Sequence, residues 1–171
     1  MKAFDELFKE ITPEELADKL PVGREIVDLI PRGGSRKSKN WRYTTEAPAG
    51  QWFGAKFGDK GWRNGKGRFG PRKRGDVKAV WTGGQLFLRN SFKLRKNFKG
   101  DIMLDLRCSG PAKVWINGVP ALTTKGATGK RYRSFVPSKK ALASLKEGVN
   151  TIAVQATDKK GADFDMGVVF R

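Results

Sequence analysis

Between positions 63 and 74 the chain gathers Arg63, Lys66, Arg68, Arg72, Lys73 and Arg74 around two aromatic residues, Trp62 and Phe69. Guanidinium and ammonium groups neutralise phosphate, sulfate or carboxylate, and counterions displaced from a polyanion make such binding strong and salt-sensitive. A shorter basic run precedes it, with Arg36, Lys37 and Lys39 among glycine, serine and asparagine. Residues 1–30 hold four Lys/Arg against eight Asp/Glu, residues 31–99 nineteen against three, and residues 100–171 twelve against six. The net charge of +18 is more than solubility asks for and predicts a polyanionic partner. Aromatic rings beside cations can stack on bases or on sugar faces. Trp41 and Trp52, in and beside the Pro/Gly-containing segment 47–54, are the candidate stacking residues, while Trp62 and Phe69 read as core.

The same inventory offers little for catalysis. There is no histidine, so Ser-His-Asp triads and His-containing metal sites are absent, and the single cysteine, Cys108, has no disulfide or metal-ligand partner. In a strand-like run it reads as a buried, inert thiol. Asp163 and Asp165 alternate onto one strand face, whereas a glycosidase sets its two carboxylates across a cleft. They read as a surface pair or as ligands to a structural cation. Gly65, Gly67 and Gly70 spell G-x-G-x-x-G, but a dinucleotide turn needs a helix to follow, and Pro71-Arg72-Lys73-Arg74-Gly75 cannot start one. No catalytic residue is assigned, and the chain is read as a binding protein.

The elements that must position these residues are short strands. Val114-Trp115-Ile116-Asn117-Gly118 reads as a strand running into a two-residue turn, because Asn-Gly suits the positive φ of a type I′ hairpin. Runs at 86–92, 102–106, 131–136, 151–156 and 164–170 are each bounded by Gly, Pro, Asn, Asp or Ser, a spacing that predicts an all-β sandwich or barrel. A brief helix interrupts them over 138–146, with Ser138 as its cap, Gly148 at its end, and Leu142 and Leu145 on one face. A chain of 171 residues that is 38% hydrophobic can build one such core.

A resemblance extends this reading. Trp41-Arg42-Tyr43-Thr44, Phe57-Gly58-Asp59-Lys60-Gly61-Trp62, Gly65 to Gly70, Phe87-Leu88-Arg89, Val114 to Gly118, Gly148 to Val154 and Asp165-Met166-Gly167 occur in an order similar to galactose-binding-like domains. It most resembles those attached to bacterial glycoside hydrolases, including the sugar-binding domain of family-two enzymes. The resemblance covers residues 41–171 and implies a non-catalytic, two-sheet antiparallel jelly-roll β-sandwich that holds a glycan. It also implies strand or strand-flanking places, and so core roles, for Trp62, Trp81 and Trp115. Such domains often carry a structural cation, frequently calcium, but no ion or other cofactor is assigned here. Acidic pairs common in them are replaced by Gly58-Asp59-Lys60 and by Ser109 to Lys113, which weakens a neutral-sugar or metal reading.

Three parts follow: an acidic helical appendage at 1–30, a flexible basic linker at 31–40, and the sandwich at 41–171. Phe4, Leu7, Phe8 and Ile11 make one apolar stripe at helical spacing, and Thr12-Pro13-Glu14-Glu15 reads as the cap and first turn of a second helix. The stripe is expected to dock on the sandwich, with engagement of another protein as the alternative. No signal sequence and no run of roughly 18 apolar residues is visible, so the expectation is a cytoplasmic protein without a membrane span; a virion component or a trimmed secreted protein would read the same.

Two functions compete. One is a carbohydrate-binding module adapted to an acidic glycan, with Arg36, Lys37, Lys39 and the 63–74 cations on its anionic groups. The other is an intracellular nucleic-acid-binding or assembly protein, in a ribonucleoprotein or virion, with the same cations on phosphates.

Overall fold

Apolar side chains recur at every second position through the longest runs, so each run can bury one face and leave the other free. A computed structural model describes residues 26–72, 75, 77–98, 100–159 and 162–171. Its strands are β1 (Val27–Ile30), β2 (Asn40–Thr44), β3 (Arg63–Lys66), β4 (Phe69–Gly70), β5 (Ala79–Val80), β6 (Gly84–Leu94) and β7 (Ile102–Cys108). They continue with β8 (Ala112–Ile116), β9 (Val119–Thr124), β10 (Arg133–Phe135), β11 (Gly148–Asp158) and β12 (Phe164–Phe170), and one helix, α1 (Lys139–Ala143), lies between β10 and β11.

Two sheets result. The first runs β10-β7-β12-β4-β5 with β1 also on β12, and the second runs β3-β2-β6-β11-β8-β9. All pairings are antiparallel except β4 with β5. Leu86, Leu88, Phe92, Ile152 and Val154 of the second sheet face Leu104, Leu106, Phe164, Met166 and Val168 of the first across one core. Each such burial stabilises the fold by roughly 1.5–3 kcal/mol. The all-β sandwich expected from sequence is therefore what forms.

The hairpin turns at Asn117 (φ 51°) and Gly118 (φ 82°), joining β8 to β9. Asn117 also ties it to the rest of the sheet: its amide donates to Ser144 O at 2.7 Å and Asn150 Oδ1 at 2.9 Å, and its Oδ1 accepts from Thr151 N–H. Ser138 caps α1 by accepting from Ala141 N–H, and Leu142 and Leu145 pack against the core. The helix stops at Ser144, and Gly148 instead opens β11 opposite Leu94.

Two boundaries move. Val27–Ile30, expected in the helical appendage, pairs with β12, because Ile30 is an apolar residue with no exposed surface left in the core. The expected linker 31–40 is packed rather than free: Pro31 and Gly33 are buried, and Gly33 N–H donates to both carboxylate oxygens of Asp165, at 3.1 and 2.8 Å. A Cβ on Gly33 would lie 2.0 Å from the carbonyl carbon of Gly67, so only glycine lets this segment approach so closely. The apolar stripe of residues 4–11 and the second helix start lie outside the described residues.

Each sheet's outer face is covered by a chain segment. On the second sheet, residues 50–62 place Trp52 against Phe87, with Trp62 and Trp115 at its sides and Phe53 stacked on Trp115 at 5.0 Å. Arg89, nearly buried, ties this cover down through Asp59 at 3.1 Å and the Trp52 carbonyl. On the first sheet, residues 31–38 lie over Asp165, which also accepts from the Tyr132 hydroxyl and from Met166 N–H. Asp163 there holds Arg68 at 2.6 Å and Arg107 at 2.8 Å, while Asp105 accepts from Ser134 Oγ and faces Arg32 at 3.9 Å.

Candidate functional site: a cationic groove at the sandwich edge

At one edge the two sheets separate. Tyr43 on β2 pairs with Arg63 on β3, and directly opposed residues share a face, so Arg63 is turned inward toward the first sheet. Its guanidinium carbon lies 4.9 Å over the Tyr43 ring, and it donates to Thr45 Oγ1 at 3.3 Å. Two residues on, Gly65 makes room: a Cβ there would stand 2.8 Å from Tyr43 and 2.9 Å from Ala79 on β5. That close approach brings the far wall in, where Lys78 and Ala79 N–H both donate to Arg68 O and Trp81 N–H donates to Gly70 O at 2.7 Å.

The result is a groove of about 490 Å³ lined by Tyr43, Thr45, Arg63, Lys78, Trp81 and Thr82 among others. That volume falls in the range of small-molecule sites. Neither Arg63 nor Lys78 forms an ion pair with a described carboxylate; Lys78 Nζ reaches only the Gly75 carbonyl, at 3.0 Å. The indole N–H of Trp81 is buried without an acceptor among the described residues. A planar guanidinium and an ammonium flanking aromatic rings can hold a carboxylate or sulfate, with Thr45 and Thr82 available to sugar hydroxyls, while Asn64 points to the opposite face and accepts from Arg42 at 3.2 Å. The described lining contains no Asp or Glu, so it offers no pair of carboxylates for hydrolysis.

The other expected site residues scatter. Arg36 and Lys37 are exposed in the turns after β1, and Lys39, also exposed, donates to Leu29 O. Lys66 is exposed at the end of β3 and Arg72 beyond β4, while Lys73 and Arg74 lie outside the described residues. The contact of Gly33 with Gly67 and Arg68 brings the two basic runs side by side, but Arg68 is occupied by Asp163. Trp41 and Trp52, expected to be exposed for stacking, are 2% and 6% exposed. Trp41 points into the inter-sheet core, and Trp52 is the centre of the outer aromatic cover, because the Pro/Gly segment folds back onto the sheet.

Asp163 and Asp165 are bound by arginines, tyrosine and backbone N–H groups rather than forming a surface pair, and no metal-ligating cluster exists among the described residues. Gly65 lies on the edge strand β3, Gly70 on β4 between β12 and β5, and Gly67 between the two, and the next element among the described residues is the strand β5 rather than a helix. Cys108 is a buried free thiol whose pKa burial pushes up, as an inert core residue should be. Sequence reasoning missed Tyr43, Lys78, Trp81 and the two threonines as a group, since they come from separate segments that only the strand pairing unites. Among the described residues no helix is long and apolar enough to cross a membrane.

No family model and no curated protein matches the chain. Solved structures do. A glycosyl hydrolase family 2 member from Bacteroides cellulosilyticus matches with a TM-score of 0.53 and 15% identity, over 76% of this chain and 20% of that one. Beta-glucuronidase 2 of Bacteroides uniformis matches with a TM-score of 0.57 and 13% identity, over 85% of this chain and 18% of its own. The chain has the fold of a β-sandwich domain of family-two glycoside hydrolases. A third match, the Ruminococcus gnavus beta-glucuronidase solved in complex with D-glucuronic acid, gives a TM-score of 0.53 and 11% identity over 85% of this chain and 29% of that one. The expected likeness to these sandwich domains holds at the level of fold, and the chain spans about a fifth of the first two enzymes' length.

Proposed function

We propose that this chain is a non-catalytic carbohydrate-binding module whose edge groove takes a sugar bearing an anionic group, such as a uronate or a sulfate ester. The observation that carries this reading is the pair Arg63 and Lys78, two cations without a carboxylate partner among the described residues, on opposite walls of a groove floored by Tyr43 and Trp81. Two of the similar structures are beta-glucuronidases, which lends support, because that activity concerns a uronic acid. The nucleic-acid alternative draws no comparable support: the two tryptophans meant to stack on bases are buried.

Calorimetric titration with a glucuronate-containing oligosaccharide and its neutral counterpart tests the reading. The acidic ligand should bind tighter, and more weakly as salt rises. Arg63→Ala should weaken it by about tenfold or more, the worth of one charge-assisted hydrogen bond, whereas Arg36→Ala should not. Equal binding of the neutral oligosaccharide, or an unchanged Arg63→Ala, would overturn the assignment.

A further inference from the structure

At the other end of β6 from the cationic groove, the surface changes character. Val27 and Leu29 of β1, Leu94 of β6, Phe98 and Phe170 line an apolar groove of about 260 Å³, with Lys93 and Arg95 on its rim. Phe98 is shared with a second hollow of about 390 Å³ beside Met103, Val136, Leu142 and Leu145. Exposed apolar residues mark the same end, with Ile26 64%, Val136 64% and Val149 47% exposed. Contiguous apolar surface rimmed by charge is the mark of a docking face.

We propose that this face is the seat of the chain's own residues 4–11. Three observations select that occupant over others. The segment carries the stripe Phe4, Leu7, Phe8 and Ile11, whose helical spacing matches a groove that takes an apolar ridge. Its charge is complementary: residues 1–25 hold seven Asp/Glu and four Lys/Arg, with Asp5, Glu6 and Glu10 beside the stripe, and the rim offers Lys93 and Arg95 without a described carboxylate partner. Continuity supplies the third, since Val27 is itself a wall of the groove. The sixteen steps from Ile11 to Val27 span about 24 Å even if every one is helical, enough to return the stripe over the groove. The docked segment covers apolar surface at the end of the sandwich away from the glycan groove, so this inference does not depend on the carbohydrate reading.

The test uses the full chain. Hydrogen exchange should show the amides of 27–30 and 93–98 protected, and Phe8→Asp should speed their exchange by about tenfold while leaving β11 and β12 unchanged. Raised salt should weaken the protection in the same direction. In a mixture of ordinary and nitrogen-15-labelled protein, lysine cross-linking should join Lys9 to Lys93 or Lys96 within one copy. Mixed-label cross-links making up about half of the total in an equal mixture, the proportion of random pairing, would assign the face to a second copy and overturn the intramolecular seat. Exchange equally fast in the natural sequence and in Phe8→Asp would also overturn it, leaving the face to a separate protein.

Discussion

The two outer faces of the sandwich solve one problem with opposite chemistry. Over the second sheet the covering segment is held by rings: Trp52 makes edge contacts with Phe53, Phe87 and Trp115 at 5.2–6.0 Å, and only Arg89 and Arg42, meeting at Asp59, add charge. Over the first sheet the cover is held by carboxylates, with Asp105, Asp163 and Asp165 accepting from or paired with Arg32, Arg68, Arg107, Ser134, Tyr132 and Gly33. Burial of rings is non-directional and tolerates sliding, whereas a buried carboxylate must have every lone pair answered. The charged cover therefore fixes where residues 31–38 lie, and it removes Arg68 from the pool of cations open to a ligand. The aromatic cover leaves its neighbouring edge strand, β3, with Arg63 free of carboxylates among the described residues. Arg32, Arg68 and Arg107 are thus tied to carboxylates over the first sheet and Arg42 and Arg89 to Asp59 over the second, which leaves Arg63 in the groove between the sheets as the arginine open to a ligand there.

The largest effect should come from the aromatic side. Trp52→Ala empties the centre of that cluster and should cost about 4 kcal/mol, against about 3 kcal/mol for Asp165→Ala, which strands the Gly33 N–H and the Tyr132 hydroxyl. Denaturant unfolding gives both costs, and hydrogen exchange should localise them, with residues 51–62 loosening in the first variant and 31–38 in the second. The two sites lie on opposite faces with no shared partner, so the double variant should show additive losses. A coupling beyond about 0.5 kcal/mol would break the comparison and make the covers one unit.

The same contrast explains what could be read in advance. The hairpin at Asn117-Gly118, the strand at 164–170 and the cap at Ser138 were legible because each rests on a local signal: a turn dipeptide, an apolar run, a hydroxyl before a helix. Strands β3, β4 and β5 were not, since Arg63-Asn64-Gly65-Lys66 has no strand propensity of its own and pairs only because β2 and Ala79 are there. Trp52 misled for a related reason: proline and glycine around it do mark a loop, but composition does not say that the loop lies down on a sheet. The cations at 63–74 were visible as a group, yet Asp163, 95 residues from Arg68, decides which of them remain open to a ligand.

The smallest effect sharpens the charged side by pH. Burial, then the charge of Asp165 and the hydrogen bond to it, push the Tyr132 phenol well above its ordinary value of 10.0. A group whose folded pKa is raised contributes fully below its unfolded pKa and loses that contribution as pH rises, because the unfolded chain releases the proton first. Tyr132→Phe should thus cost about 1 kcal/mol at neutral pH, the worth of one hydrogen bond. Above pH 10 the gap to the natural sequence should close, by up to about 1.4 kcal/mol per pH unit. Lysine titration affects both proteins alike and cancels in the difference. A gap that stayed constant from neutral pH to beyond 10 would mean that the phenol is not held against Asp165, and that Gly33 and Met166 N–H secure this carboxylate without it.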